Sequence, residues 1–166
     1  MAKIESPREL FINNLGSTLT MENEILEMLE ELQEEARDQE LKQNLAHHHQ
    51  ETQQQIRNLE RVFDALGEEP KGQSCPPIEG LEKDGKQSIK QVDDALVDHV
   101  ILGGAAKTEH HEIAVYNGLI MKAEAMGEED VANLLRENLE QEEHTLEEVD
   151  KKALQLTQQT VHAGAR

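Results

Sequence analysis

The sequence predicts an all-α fold, a four-helix bundle whose two halves are joined by one long crossover. Three observations carry that prediction. Only Phe11, Phe63 and Tyr116 are aromatic and there is no Trp, so the core must be built from Leu, Ile, Val, Ala and Met, which suits packed helices better than stacked sheets. Apolar residues recur at three- and four-residue spacing through four long stretches bounded by capping or breaking residues. Beyond Pro7, every proline (Pro70, Pro76 and Pro77) falls in one segment between the second and third stretches. At 166 residues the chain can bury one core without dividing, so 1–166 is read as a single domain.

Ser6-Pro7-Arg8-Glu9 starts the first helix, read over about 7–36. It is a capping box with proline at the first helical position: the Ser6 hydroxyl accepts from the Glu9 amide and the Glu9 carboxylate reaches back. Its stripe is Phe11, Leu15, Leu19, Glu22, Leu26, Leu29, Leu32. Asp38 caps the second helix, about 39–66, whose stripe is Leu41, Leu45, His48, Thr52, Ile56, Leu59, Phe63, Leu66 before Gly67 ends it. The connection is so short that the two helices form an antiparallel hairpin roughly 40 Å long.

Residues 67–91 form the crossover, with a short helix expected over Ile78 to Ile89. Even partly helical, a segment of this length spans the bundle. The third helix, about 92–126, carries Leu102, Ala106, Ile113, Tyr116 and Ile120, and Gly127 closes it. The fourth, about 128–158, opens with Glu128, Glu129 and Asp130 at the positive end of the helix dipole. It carries Val131, Leu135, Leu139, Glu142, Leu146, Val149, Ala153 and Leu156, fraying toward Ala165-Arg166. Hairpin, crossover and hairpin make a ferritin-like arrangement.

Thirty-five acids against 16 Lys and Arg give a formal net charge of −19, which opposes binding to nucleic acid or an anionic membrane surface. No run of apolar residues is long enough to span a bilayer, and the first residues contain no apolar segment of the kind an export signal needs. A single cysteine, Cys75, has no partner for a disulfide or a zinc pair, so a reducing, cytoplasmic setting is expected.

All four stripes are interrupted by polar groups near mid-length. Aligning Glu22 with Glu109 also aligns the flanking apolar residues, and aligning Leu45 with Leu139 places His48 over Glu142. Glu109 and Glu112 are three apart on one helical face, as are His48 and Glu51. Any one of these acids alone reads as a solvated face in so charged a chain. Their joint occurrence at one depth reads as a buried site, and carboxylate oxygens with one imidazole suit iron and manganese. The candidate ligands are Glu22, His48, Glu51, Glu109, Glu112 and Glu142, holding two metal ions. Tyr116, one turn beyond Glu112, could orient a ligand carboxylate or simply sit in the core. Consecutive helical residues point about 100° apart, so of His47-His48-His49 only His48 is on the stripe. His47, His49, His110 and His111 are read as exposed or supporting groups, and His144 and His162 as surface residues.

His48-x-x-Glu51-Thr52, Leu59-Glu60-x-Val62-Phe63 and above all Lys107-x-Glu109-His110-x-Glu112-Ile113-Ala114-x-Tyr116 resemble the YciE/YciF family of ferritin-like bacterial stress proteins. Leu134-Leu135, Glu140 to Glu142, and the crossover from Gly67 through Cys75 to Leu81 follow the same pattern. The resemblance implies a homodimer with a carboxylate-rich dinuclear centre, iron first, and an association with stress responses. The sequence departs from the family at Leu146, where relatives tend to have Asp, and at Glu143, where they often have Lys. The ferritin order Glu-x-x-His is also absent, since Thr145 follows Glu142 by three. The expected function is a soluble di-iron or iron/manganese protein reacting with oxygen or peroxide, with an oxidase- or peroxidase-like activity. The alternative is a metal-free helical dimer acting as an interaction or structural stress protein.

Overall fold

The computed structural model describes residues 3–164, so the expected fraying at Ala165-Arg166 lies outside the described residues. The fold is all-α, a ferritin-like four-helix bundle. Its helices are α1 (Pro7–Glu35), α2 (Gln39–Leu66), α3 (Pro76–Ile89), α4 (Val97–Ala125) and α5 (Glu129–His162), with a 3₁₀ turn at Asp94–Leu96. Helices α1 and α2 form one hairpin and α4 and α5 the other, while α3 rides in the crossover against α4 and α1. Helix α2 packs on α5 and α1 on α4, which places α2 and α4 diagonally.

The helix ends follow local chemistry. Ser6 Oγ accepts from the Glu9 amide, as a capping box requires, but the Glu9 carboxylate reaches back to the Glu5 amide (2.8 Å) rather than to that of Ser6. Asp38 accepts from the Leu41 amide at 2.8 Å. Gly67 and Gly127 close α2 and α4 with φ of 70° and 77°, the left-handed conformation that glycine adopts without strain. Helix α3 starts two residues earlier than expected, at Pro76, because the first helical positions have no amide bond for proline to lose. Helix α4 starts later than about 92, because Asp93 accepts from Ala95 and makes a separate 3₁₀ turn. Helix α5 extends to His162, its last turns held by Thr157 and Thr160 bonding back to Ala153 and Leu156 and by Thr160 meeting His99 (3.0 Å).

Two contacts set the hairpins against each other. Buried Asp98, in the first turn of α4, accepts from the Arg37 amide (2.8 Å) and the Asp38 amide (2.9 Å) in the turn that begins α2. Helices α2 and α4 therefore start at the same end and run in the same direction. At the other end the crossover lies directly on α1: Gln73 N–H donates to Gly16 O (3.0 Å), and a Cβ at Gly16 would stand 2.5 Å from the Lys71 carbonyl. Only glycine permits that approach.

The core is aliphatic around Phe11, Phe63 and Tyr116, with Leu15, Met21, Leu59, Leu102 and Leu135 fully buried. The buried face departs from the expected stripes in a consistent way. On α4, Ile113 and Ala106 are half-buried while Thr108, Glu109 and Glu112 are buried; on α1 it is Ile25 rather than Leu26. On α2 it is Gln55 rather than Ile56, and on α5 Asn138 and Thr145 rather than Leu139 and Leu146. The acids of α4 are the centre of its inward face, not interruptions in it.

Candidate metal centre

Four helices meet at mid-bundle, each with a buried polar side chain. Glu22 (α1), Glu112 (α4) and Glu142 (α5) are fully buried; Glu109 (α4) and His48 (α2) are nearly so, at 2% and 6% exposure. His48, Glu109, Glu112 and Glu142 each bring one ligand atom to within 4.8 Å of all the others, a spacing that one ion could bridge. Glu22 and Glu51 flank this group. Glu22 hydrogen-bonds with Tyr116 and lies beside Glu112, whereas half-buried Glu51 stands 3.8 Å from His48 Nδ1, 3.4 Å from His47 Nε2 and 3.4 Å from Thr145 Oγ1.

The electrostatics show what the site lacks. The buried acids have one cationic neighbour, His48, whose Nε2 is 3.2 Å from Glu109 Oε1. Burial alone would depress the His48 pKa, but Glu109 and Glu51 outweigh it and push it up to about 9. Burial and Glu109 push Glu22 up to about 7, against the opposing pull of Tyr116 and His48. Burial also holds Glu112 and Glu142 well above the carboxylate range, reinforced for Glu112 by Glu142 and Glu109 and for Glu142 by Glu22 and Glu109. Glu51 goes the other way: burial raises it, but His48 and His47 lower it further.

Within the cluster six carboxyl oxygens have no N–H or O–H donor from another residue type: Glu22 Oε2, Glu109 Oε2, both of Glu112 and both of Glu142; the only partners in reach are other carboxyls, Glu22 with Glu112 and Glu109 with Glu142. Unpaired buried acceptors are costly, and acids crowded together need protons or cations. A set of hard oxygen donors with one imidazole fits divalent iron or manganese, and these oxygens are the coordination capacity such ions use. The residues present therefore fit a bound metal ion.

A polar layer continues one turn away. Tyr116 Oη donates to Glu22 Oε1, Asn138 Nδ2 donates to Tyr116 Oη (3.0 Å) and to the Gln55 carbonyl (3.2 Å), and Asn58 Nδ2 donates to Asn138 Oδ1 (2.8 Å). Burial first, then Glu22, raises the Tyr116 hydroxyl well above its ordinary range, so it remains a donor to Glu22. The sequence reading missed Gln55, Asn58 and Asn138. Their signal was spacing: Gln55 and Asn58 continue the His48–Glu51 face at four and seven residues, and Asn138 precedes Glu142 by four.

The other histidines stay off the cluster. His49 pairs with Glu30 (3.1 Å) and His144 with Glu148 (3.7 Å), while His110 is exposed. His111 lines a separate space beside Cys75, where burial lowers its pKa. Leu146 is half-buried and is not the buried residue of this turn. Thr145 is, with its hydroxyl 3.5 Å from His48 Nδ1.

Residues 6–162 match the family model described as Domain of unknown function (DUF892). The Escherichia coli (strain K12) protein YciF is 31% identical over 139 residues, 82% of this chain and 84% of that protein. Among solved structures, the E. coli stress protein YciF superposes with a TM-score of 0.89 at 27% identity, over 93% of this chain and 99% of that one. YcfI of Rhodopseudomonas palustris, provisionally described as a structural protein, gives 0.87 at 34% identity over 89% and 95%. A Xanthomonas campestris pv. campestris protein shares the fold at 23% identity, with a TM-score of 0.77.

Proposed function

This chain belongs to the DUF892 family, and we propose that it is a ferritin-like stress protein whose buried cluster binds two metal ions and reacts with oxygen or peroxide. The observation that carries this reading is the buried group His48, Glu109, Glu112 and Glu142, whose ligand atoms lie within 4.8 Å of one another, with Glu22 beside it. The ligands are Glu22, His48, Glu51, Glu109, Glu112 and Glu142. Iron is the first choice of metal, with manganese or a mixed pair as the alternative. When bound, iron would supply the electrons for reducing oxygen or peroxide.

The chain's own groups fix the geometry. His48 Nε2 faces Glu109, while its Nδ1 faces Glu51 and Thr145, which orients the ring. Tyr116, held by Asn138, orients Glu22. Glu22, Glu112 and Glu142 are fully buried, so a carboxylate here gains more from a cation than it would at the surface. We further read the protein as a cytoplasmic homodimer and residues 1–166 as one domain. The charge of −19 argues against nucleic acid as a partner. Among the described residues no helix is long and apolar enough to cross a membrane.

The test is metal analysis after aerobic iron loading, with Fe(II) oxidation followed in wild type and in Glu22→Ala plus Glu109→Ala. About two equivalents in wild type and a lost oxidation rate in the variant are expected; far less than one equivalent with an unchanged rate would refute the reading. The provisional structural description of the R. palustris relative favours a second reading, a metal-free dimer that serves as an interaction module. Thermal melts indifferent to iron, manganese and chelator would support that instead.

A further inference from the structure

Beside the cluster, between the two hairpins and under α3, lies a cavity of about 480 Å³. One end is walled by His48, Glu51, Glu109 and Thr145, so it opens on the site itself. Along its length it is lined by aliphatic side chains, among them Met28, Leu32, Leu45 and Ile101, with no Phe or Tyr. The mouth is open to solvent and ringed by exposed Glu31, Glu34, Glu35, Lys86 and Lys90, while the walls within are mostly aliphatic, so an apolar molecule gains by leaving water for them. The volume falls within the range of about 300–1,000 Å³ usual for small-molecule sites.

The lining also selects the ligand. On α2 the wall runs from Leu41 to Glu51, roughly 15 Å, and on α5 only from Thr145 to Lys152, so the length lined on both sides is about two helical turns, or roughly 10 Å. That length fits an extended chain of roughly eight carbons at ~1.3 Å each. With no flat ring to stack against, an aliphatic chain packs better than an aromatic one. Charge excludes an anionic head. Glu31, Glu34, Glu35, Glu82 and Glu148 outnumber Lys86 and Lys90 on the lining. Lys86 is held by Glu31 and Glu82, and the third lysine, Lys152, by Asp38 and Glu40.

We propose that this cavity binds an uncharged aliphatic molecule of medium chain length and presents one end of it to the carboxylate cluster. Binding follows from the cavity alone; service as a substrate site rests on the metal reading above. The test titrates metal-free protein with 1-octanol, octanoate and octylamine, read by thermal melting and by displacement of the apolar dye Nile red. Octanol is expected to raise the midpoint and displace the dye, and octylamine binding tighter than octanol would overturn the uncharged head in favour of a cationic one. Octanoate should bind at least about tenfold more weakly at low salt, the gap narrowing as salt screens the acidic lining.

Gly104 lines the cavity, and a Cβ there meets nothing within 4 Å, so Gly104→Leu fills space while removing a glycine from a helix interior. Octanol affinity should fall at least about tenfold with the midpoint unchanged or higher; Ala105→Leu provides a second, independent filling. The inference is overturned if octanol leaves the melt unmoved, if both variants bind as wild type does, or if Gly104→Leu dissociates a dimer, since a second copy would then be the occupant. A protein that binds octanol but takes up no iron retains this inference and loses the metal reading; uptake of iron without octanol binding does the reverse.

Discussion

Replacing Glu22 by Gln removes a proton-binding site from the core while keeping an oxygen for the Tyr116 hydroxyl. In the metal-free protein Glu22 is pushed up to about 7 from an ordinary 4.5, first by burial and then by Glu109. Between those values the folded chain holds a proton that the unfolded chain has released. The stability this gives is complete below about pH 4.5 and is lost as the pH rises through about 7. Its size is roughly (7 − 4.5) × 1.36, about 3 kcal/mol. For a chain of this length about 3 kcal/mol is roughly 6–12 °C in Tm. In chelator, E22Q should match wild type near pH 4.5 and melt roughly 6–12 °C higher near pH 8. His48, which burial lowers but Glu109 and Glu51 push up to about 9 from 6.5, adds to both proteins a stability that is complete below about pH 6.5 and is lost as the pH rises through about 9. The difference between the two curves reports Glu22 together with its coupling to His48, Glu112 and Glu142. Parallel curves from about pH 4.5 to 8 would refute the reasoning that burial holds this carboxyl protonated.

Divalent iron or manganese should raise Tm near pH 7 by roughly 5–11 °C at a hundredfold excess over Kd, about 2.7 kcal/mol, and chelator should reverse it. Glu112→Leu should abolish that response yet leave the metal-free protein at least as stable as wild type, because a buried acid among other acids gives way to an apolar side chain; equilibrium urea melts with and without metal check both. Tyr116→Phe removes the hydroxyl that lowers the Glu22 pKa, so the pH-dependent fall in Tm of the metal-free protein should move to higher pH, with a further loss of about 1–2 kcal/mol across the range. Asp98→Ala leaves the Arg37 and Asp38 amides without their acceptor and should cost about 2–3 kcal/mol with metal uptake retained, measured by calorimetry and metal analysis.

The six residues proposed as ligands sit at or beside one mid-bundle level, with His48, Glu109, Glu112 and Glu142 grouped and Glu22 and Glu51 flanking them, and their positions were not equally legible. Glu22 and His48 were visible because each replaces an apolar residue in a long aliphatic stripe. Glu51 shares a helical face with His48, but it is half-exposed and pairs with His47, a distinction that spacing cannot make. Gln55, Asn58 and Asn138 escaped notice because each lies next to an apolar residue, Ile56, Leu59 and Leu139, that seemed the natural core position. At 100° per residue, neighbouring positions differ by less than the width of a buried stripe, so sequence alone cannot choose between them.

The sequence by itself determined an all-α chain, the order hairpin–crossover–hairpin and the acid-bearing helices, because caps, glycines and apolar periodicity act over a few residues at a time. It also carried the family, most sharply in Lys107 through Tyr116. Tertiary structure alone decided which face of each helix turns inward, that Thr145 rather than Leu146 stands over His48, and that an aliphatic cavity opens on the cluster. Those facts depend on helix rotation and on the gap between hairpins. Both are set by contacts such as Asp98 with the α1–α2 turn and Gly16 with the crossover, which join residues about 60 positions apart.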